Sequence, residues 1–243
     1  MKNKVLYPRF ILLIAISHCN LYGHAQPCRI SKMITPEETE YFFQYDTSFR
    51  LQTITSSMDN RLDSFFYYQD SIVIITNLNN KRDSRTVYTL NKSGRVTHQK
   101  FLPISYEGWI ENIDYSYKDG HLITIVRAVR LTTEPTEKTT ISKEVFTWQN
   151  GNPIKITNYE EGKPNGSEKL GYSNKKYRIG DFNSTEFIMT GLQILKPTNL
   201  LKNMIGPISL YLSYEFDSLG NIISMTEKEE NDIRVTKYEY ECK

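Results

Sequence analysis

The sequence predicts an all-β protein in which many hairpins form a single, strongly curved or partly closed antiparallel sheet, with one or two short helices. Three observations support this fold class. Pairs of aromatic residues two apart recur along the chain, a polar turn that usually contains glycine follows each pair, and β-branched or aromatic runs fill the intervals. Since residues two apart lie on the same face of a strand, each pair indicates a strand with one apolar face.

The recurrent hairpin unit is an aromatic pair, a short turn and an apolar second strand. Asp119-Gly120 and Asn150-Gly151 supply the two positive φ angles of a type I′ turn. Ser93-Gly94 and Leu219-Gly220 fit slightly longer loops with glycine in the left-handed conformation. Strands joined in this way are antiparallel. The aromatic pairs are Phe43-Gln-Tyr45, Tyr115-Ser-Tyr117, Phe146-Thr-Trp148 and Tyr214-Glu-Phe216, with a weaker copy at Tyr88-Thr-Leu90.

The number of strands and their alternation predict the curvature. The strand-like runs number about 15, more than an open sheet usually carries without curling. Ile113, Tyr115 and Tyr117 alternate with polar residues, so one face of that strand is expected to be buried and the other solvated. The run 72–75 is apolar at both parities, which predicts that the sheet folds over it or that a helix covers it.

Two short helices are predicted. Residues 199–205 follow Pro197-Thr198 and precede Gly206-Pro207, which are suitable cap and stop residues. A weaker candidate covers residues 36–40, where Thr35 begins a sequence similar to a capping box. Neither helix changes the fold class.

The N-terminal residues predict a secretory signal peptide, cleaved after Ala25. Lys2, Lys4 and Arg9 precede an apolar run at 10–16, and small residues lead up to the cleavage site. The apolar run is too short to span a membrane, and no second long apolar stretch follows, so we expect no transmembrane helix. The remaining residues, 26–243, are expected to form a single antiparallel β domain in the periplasm, on the outer membrane or at the cell surface.

Three cysteines bear on anchoring and on a disulfide. A lipid anchor is the alternative to simple cleavage, but His18 precedes Cys19 and Pro27 precedes Cys28, and a lipobox needs a small residue there. Cleavage would leave Cys28 and Cys242, an even pair in an exported chain, and we predict a disulfide between them. Two independent thiols are the alternative.

Charge and motifs exclude several classes of activity. The formal net charge of +2 falls to about −1 without the signal, and no basic patch predicts nucleic-acid binding. The sequence contains no zinc-protease, Cys-x-x-Cys, nucleophile-elbow or phosphate-loop motif, so we predict no catalytic, metal or cofactor-binding residues and no cofactor. His121 is interpreted as a solvated turn residue. The acid pairs Glu160-Glu161 and Glu229-Glu230 are interpreted as solvated loop charge.

The aromatic residues are the candidates for a binding surface. Aromatic faces offer a large contact area at little entropic cost, whether to a sugar or to an apolar ligand. The alternative is that aromatics two apart form cross-strand core contacts, and we favour that alternative. The candidate binding face consists of Tyr115, Tyr117, Trp148, Tyr214 and Phe216.

The hairpin pattern Tyr-x-Tyr-x-x-Gly-x-Leu resembles the YD-type hairpin repeats of exported bacterial proteins. It is also similar to a Bacteroidetes extracytoplasmic family of unknown function with a porin-like, strongly curved antiparallel sheet. The specific likeness lies in the hairpins that begin at Tyr115, Phe146 and Tyr214 and in the strand that contains Tyr238 and Tyr240. The resemblance implies a porin-like open barrel outside the cytoplasm, and it implies no catalytic residues.

Three functions follow as hypotheses. The first is an exported, non-enzymatic β-domain that binds an envelope protein, a glycan or a lipid on its curved sheet. The alternative is an integral outer-membrane β-barrel, although the chain ends in Cys242-Lys243 rather than an aromatic residue, and Asp114 and Lys118 occupy the solvent side. The second alternative is a hydrolase with an unrecognised site, which a pocket of converging titratable groups would reveal.

Overall fold

The protein is a closed antiparallel β-barrel. The computed structural model describes residues 28–104, 109–131, 139–184, 192 and 194–242. Sixteen strands follow one another in chain order around the barrel. They are β1 (Cys28–Ile34), β2 (Glu40–Tyr45), β3 (Leu51–Ser56), β4 (Arg61–Tyr67), β5 (Ser71–Leu78), β6 (Lys81–Leu90), β7 (Val96–Pro103), β8 (Trp109–Lys118), β9 (His121–Leu131), β10 (Thr139–Gln149), β11 (Asn152–Glu160), β12 (Lys163–Lys176), β13 (Asn199–Ile205), β14 (Ser209–Phe216), β15 (Ile222–Glu229) and β16 (Asp232–Cys242).

The first and last strands close the barrel. β1 pairs with β16 along a register that runs from Cys28 opposite Cys242 to Ile34 opposite Lys237. The all-β antiparallel prediction is confirmed, whereas the expectation of an open or partly closed sheet is wrong. Sixteen twisted strands curl far enough for the two edges to meet, and closure pairs the backbone groups that an open edge would leave exposed.

The predicted hairpin turns are confirmed. The φ angles are positive at both residues of Asp119-Gly120 (50° and 85°) and of Asn150-Gly151 (51° and 73°). Gly94 and Gly220 have φ angles of 74° and 82°. These turns lie at the end of the barrel where even-numbered strands finish and odd-numbered strands begin. We call this end the base, and the opposite end the mouth.

The aromatic pairs end the even-numbered strands at the base and point inward. Ile113 and Tyr115 on β8 are buried while Asp114 and Ser116 are exposed, as the alternation predicted. Before the last aromatic or leucine of such strands the register shifts by a β-bulge, which increases the local twist. The bulges lie at Gln44/Tyr45, Thr89/Leu90, Ser116/Tyr117, Thr147/Trp148 and Glu215/Phe216.

The apolar core fills the half of the barrel next to the base. Each odd-numbered strand from β5 to β9 has an aliphatic residue at its first or second position that faces an aromatic or a leucine across the turn, as Leu122 faces Tyr117 and Val96 faces Leu90. Together these aliphatic and aromatic residues pack into one contiguous cluster. Its members include Ile30, Phe43, Leu51, Phe65, Ile72, Tyr88, Val96, Tyr115, Leu122, Phe146, Ile222 and Tyr238.

The apolar run on β5 is covered on both sides. Ile72 and Ile74 belong to the core, and Val73, on the outer face, is only 7% exposed. Val73 shares a shallow outer depression with Phe66 and Arg85. Among the described residues, side chains of the outer wall such as Phe66 and Arg85 supply the cover, rather than a helix or a second sheet layer.

Both predicted helices are wrong. Residues 199–205 form strand β13, paired with β12 and β14. Residues suited to cap or stop a helix also occur at the ends of strands. Leu201 and Met204 are positioned by cross-strand partners that the local sequence does not reveal. Residues 36–39 form a turn in which the Glu38 amide donates to the Thr35 carbonyl. The helical residues of the described chain are the three of the 3-10 turn Phe182–Ser184, and no described helix could span a membrane.

Candidate ligand-binding cleft

The described residues of the connection between β12 and β13, 177–184, 192 and 194–198, cover the base of the barrel from within. Their apolar side chains pack against the core cluster. Thr198, at the end of the connection, donates its amide and its hydroxyl to the Gly151 carbonyl at 2.9 and 3.0 Å. The connection therefore acts as a plug, anchored to the β10–β11 turn. The plug residues on the core are Ile179, Phe182, Leu192, Ile194 and Leu195.

Hydroxyl and indole N–H groups of the aromatic residues around the base link neighbouring hairpins. Each donates to a carbonyl near the start of the preceding odd-numbered strand, so the bond joins two hairpins rather than the two strands of one. Burial raises the pKa of Tyr45 to about 12, so this hydroxyl keeps its proton and remains a donor. The links are Tyr45 to Ile30 (2.8 Å), Tyr67 to Leu51 (2.8 Å), Trp148 to Leu122 (2.6 Å), Tyr214 to Leu201 (2.8 Å) and Tyr240 to Ile222 (2.8 Å).

Asp181 holds the plug against the wall from a fully buried position. Its carboxylate accepts from the Leu201 amide at 2.8 Å and from the Asn183 amide at 2.8 Å. The Tyr214 hydroxyl lies 3.2 Å from the same carboxylate. Burial raises the pKa of Asp181 to about 6, although the hydrogen bonds it accepts oppose the shift. A buried carboxylate bound mainly by backbone amides is a structural clamp rather than an exposed acid.

A cleft of about 420 Å³ opens at the base beside the plug. Its floor is apolar and buried, two aromatic side chains form its walls, and two cations stand at its rim. No carboxylate or imidazole lines it among the described residues. The floor consists of Val96, Leu122, Leu192 and Ile194, the walls are Tyr117 and Trp148, and the rim contains Ser93, Gly94, Arg95, Gly120 and Lys196.

The Trp148 ring is held in a fixed orientation. Its indole N–H donates to the Leu122 carbonyl at 2.6 Å, and the His121 ring stacks on it with centroids 4.3 Å apart. His121 was interpreted as a solvated turn residue. The structure instead makes it the first residue of β9, half-buried on the indole, which no local pattern indicates because Trp148 is 27 residues away along the chain.

The Arg95 guanidinium is positioned by the turn that precedes β7. The Asn91 side chain accepts from the backbone amides of Ser93 and Arg95, both at 3.0 Å, and this fixes where the arginine leaves the turn. The guanidinium lies 5.5 Å from the centre of the Tyr117 ring, in the range of a cation–π contact. A Cβ atom added to Gly120 would approach it to 3.2 Å, so glycine leaves room for it there.

The structure separates the five predicted aromatic site residues. Tyr117 and Trp148 line the cleft, whereas Tyr115 lies in the core and donates to Gln99 at 2.7 Å. Tyr214 contacts Asp181, and the Phe216 ring lies 4.0 Å from the Lys175 ammonium. The five therefore share the inner face of the barrel without forming one binding surface.

Sequence reasoning missed the plug residues and the two rim cations. Leu192, Ile194 and Lys196 lie in a stretch without strand or helix periodicity, so nothing local placed them at the base. Arg95 follows Ser93-Gly94, and the prediction of a turn there did position its backbone. What the sequence could not show is that this turn and the 119–120 turn are neighbours.

No protein-family model matches the chain, and no curated protein matches it. Its backbone is similar to two solved structures described as porin-like proteins. The one from Bacteroides uniformis has a TM-score of 0.58 and 15% sequence identity, covering 87% of this chain and 96% of that chain. The one from Bacteroides vulgatus has a TM-score of 0.62 and 15% identity, covering 87% and 98%. The chain has the porin-like fold. These comparisons confirm neither the YD-type repeats nor the extracytoplasmic family of unknown function.

The mouth half of this porin-like barrel is lined by charged side chains. By register with the buried residues, Arg127 and Glu111 face inward and form an ion pair at 2.9 Å. Glu144 also faces inward, and burial raises its pKa. Within the described ranges no group of three or more acidic, histidine or cysteine residues could hold a metal ion. Further inward ion pairs are Arg61 with Asp63 at 3.0 Å and Arg234 with Glu229 at 2.8 Å.

The acid pairs and the second histidine also have defined positions in the porin-like barrel. Glu161 and Glu230 are turn residues with positive φ, as expected of loop charge. Glu160 is the last residue of β11 and is exposed. Glu229, in contrast, belongs to β15 and binds Arg234, so its interpretation as free loop charge is wrong. His98 lies 2.7 Å from Asp114 on the outer wall.

Proposed function

We propose that the chain is a non-enzymatic binding protein of the cell envelope, exported after cleavage at Ala25, which holds its ligand in the base cleft. The observation that carries the proposal is a cleft of about 420 Å³ whose floor is apolar and whose walls are Tyr117 and the oriented Trp148 ring. Binding sites for small molecules combine apolar and aromatic linings with a few polar groups, in volumes of about 300–1,000 Å³. The binding surface is thus the base cleft rather than the sheet as a whole.

The outer wall supports a barrel that works in water. Lysines occupy outward positions on several different strands, between residues whose side chains point into the barrel. A lysine facing the middle of a bilayer from a β-barrel costs about 2–4 kcal/mol, so several of them would make insertion strongly unfavourable. The outward lysines include Lys100 on β7, Lys143 on β10, Lys155 on β11, Lys169 on β12 and Lys237 on β16.

Trp148 offers a direct test of the cleft, because Trp109 is the other tryptophan of the chain. In a Trp109→Phe background, Trp148 fluorescence should change saturably when 4-phenylbutan-1-ol, a neutral probe with an apolar ring, is titrated. Tyr117→Ala removes one wall and should weaken binding about tenfold. Tyr211→Ala, at an exposed outer-wall position, is the matched control and should leave binding unchanged. A signal that does not saturate, or that both alanine variants alter equally, would overturn the proposal.

The second candidate function is an integral outer-membrane β-barrel, which the likeness to porin-like proteins favours. This candidate predicts channel conductance when the purified protein is added to a planar lipid bilayer. The water-facing barrel predicts none, because its core fills the base and its outer wall is charged. Stepwise conductance with a reproducible unit size would support the membrane barrel in place of the binding protein.

A further inference from the structure

We infer that the base cleft is selective for an anion with an apolar body, such as an amphipathic carboxylate. The inference rests on the proposed function and adds the chemical class of the ligand. It follows from the charges at the rim, from how one of them is held, and from the contrast with a second depression on the same barrel.

The rim of the cleft carries unbalanced positive charge. Arg95 and Lys196 both line it and both are exposed. Neither forms an ion pair with a carboxylate in the part of the chain that the structure describes, whereas Arg61, Arg127 and Arg234 each do. Two uncompensated cations above an apolar floor attract a negatively charged group and disfavour a positively charged one.

The position of Arg95 suits a planar anion. The Asn91 bonds fix its backbone, and the Tyr117 ring lies beneath its guanidinium, so little side-chain freedom remains to be lost on binding. A guanidinium presents parallel N–H groups that match the two oxygens of a carboxylate. The anion would therefore sit at the rim, while the rest of the ligand contacts Trp148 and the floor beneath it.

A second depression near the barrel seam shows the contrast. It is also lined by aromatic residues and an arginine, Arg29, but Glu241 lies among its lining residues and opposite Arg29 in register. The Phe49 ring covers the Arg29 guanidinium at 3.5 Å. The Arg29 guanidinium thus has a carboxylate residue opposite it and a ring over it, whereas the Arg95 side chain lines a cleft that contains no carboxylate among the described residues.

Three probes that share one apolar body separate charge recognition from apolar binding. They are 4-phenylbutyrate, 4-phenylbutan-1-ol and 4-phenylbutylammonium, titrated against Trp148 fluorescence in the Trp109→Phe protein. We expect the carboxylate to bind about tenfold more tightly than the alcohol, the ammonium to bind most weakly, and the preference to shrink as salt rises. In the double variant Arg95→Gln/Lys196→Gln the ratio of the carboxylate and alcohol Kd values should fall towards one.

The control is the double variant Arg85→Gln/Lys100→Gln, which removes the same two charges from exposed positions on the outer wall. It should keep the full preference for the carboxylate. Equal affinity for all three probes would overturn the anion inference and leave the proposed binding function standing. A preference that survives loss of Arg95 and Lys196 would also overturn it. Failure of every probe, the alcohol included, would overturn the proposed function itself.

Discussion

At the residue scale, the base depends on side-chain donors that bind carbonyls of the neighbouring hairpin. Tyr240 is one that reaches two carbonyls, because its hydroxyl lies 2.8 Å from the Ile222 carbonyl and 3.3 Å from the Ile179 carbonyl of the plug. The hydroxyl thus serves the wall and the plug together. Removal of this single oxygen should therefore destabilise the whole base.

Tyr240→Phe should lower the free energy of unfolding by about 1 kcal/mol, because it leaves a buried carbonyl without its donor while the ring still packs. Denaturant unfolding followed by far-ultraviolet circular dichroism measures the change. Tyr211→Phe, on the exposed outer wall, is the control and should change stability by less than about 0.5 kcal/mol. Equal effects of the two substitutions would contradict the role assigned to the Tyr240 hydroxyl.

Asp181 predicts a specific dependence of stability on pH. Its folded-state pKa of about 6 lies above the ordinary value of 3.8, so the folded protein holds a proton that the unfolded chain has released. Between about pH 4 and pH 6 this group therefore lowers stability as pH rises, and above pH 6 the loss is complete, at up to roughly 3 kcal/mol. The titratable groups around it, Tyr172, Tyr214 and Tyr238, keep their protons throughout this range.

The test compares the wild type with Asp181→Asn across that range. The difference between their unfolding free energies should vary from pH 4 to pH 6 and become constant above it, because asparagine has no proton to release. Comparing the two proteins cancels the contributions of other carboxyls with raised pKa values, such as Glu144 and Glu227. Parallel pH curves for the two proteins would show that burial of Asp181 does not shift its ionisation.

At the scale of single elements, aromatic or leucine strand ends followed by glycine turns predicted the base hairpins that contain Gly94, Gly120, Gly151 and Gly220. The pattern is local, since Tyr115, Tyr117 and Asp119-Gly120 lie within one six-residue stretch and specify a strand end and its turn together. Strand β13 could not be predicted in this way. Its residues gain their conformation from β12 and β14, and β12 lies 22 residues earlier across the plug.

The Asn150-Gly151 turn contacts the plug, and two features of position 151 favour glycine. Its φ of 73° disfavours other residues, and an added Cβ would overlap the Thr198 hydroxyl. Gly94 has nearly the same φ, 74°, with nothing near the position of a Cβ. We expect Gly151→Ala to cost more than Gly94→Ala, which should cost about 1–2 kcal/mol from backbone strain alone. Equal losses on denaturant unfolding would show that Thr198 moves aside freely.

At the scale of the whole molecule, closure joins the first strand to the last. The Sγ atoms of Cys28 and Cys242 lie 2.01 Å apart, 214 residues apart in sequence, beside the seam between β1 and β16. A bridge that closes so long a loop contributes about 5 kcal/mol in the chain-entropy model. The sequence suggested that the termini meet, but the register that makes them neighbours depends on all sixteen strands.

The double substitution Cys28→Ser/Cys242→Ser should therefore lower the free energy of unfolding by several kcal/mol, while the folded circular dichroism spectrum stays that of a β-protein. A reducing agent should destabilise the wild type by a similar amount and leave the double variant unaffected. Intact mass under non-reducing conditions should show no free thiol on residues 28 and 242. Alkylation of both cysteines in the folded wild type would contradict the bridge.

The distribution of apolar and charged residues over the whole barrel supports the proposal that the barrel works in water. The apolar mass lies inside the base, and the outer wall carries charge, including Lys143 and Lys237. Alternation along the strand that contains Ile113 and Tyr115 allowed the sequence to predict one wet and one dry face there. Which face is outside follows only from closure, because an open sheet of the same strands could have turned either face inward.

The most direct test of this proposal is the state of the protein, expressed with its full N-terminal sequence, in the absence of detergent. The cell-envelope fraction would be released by osmotic shock and cleared by ultracentrifugation, and the supernatant protein examined by sedimentation velocity. The account predicts that the processed chain remains in the supernatant as a discrete folded species with β-rich circular dichroism. Recovery only from the membrane pellet, with detergent needed to keep the protein dispersed, would contradict it.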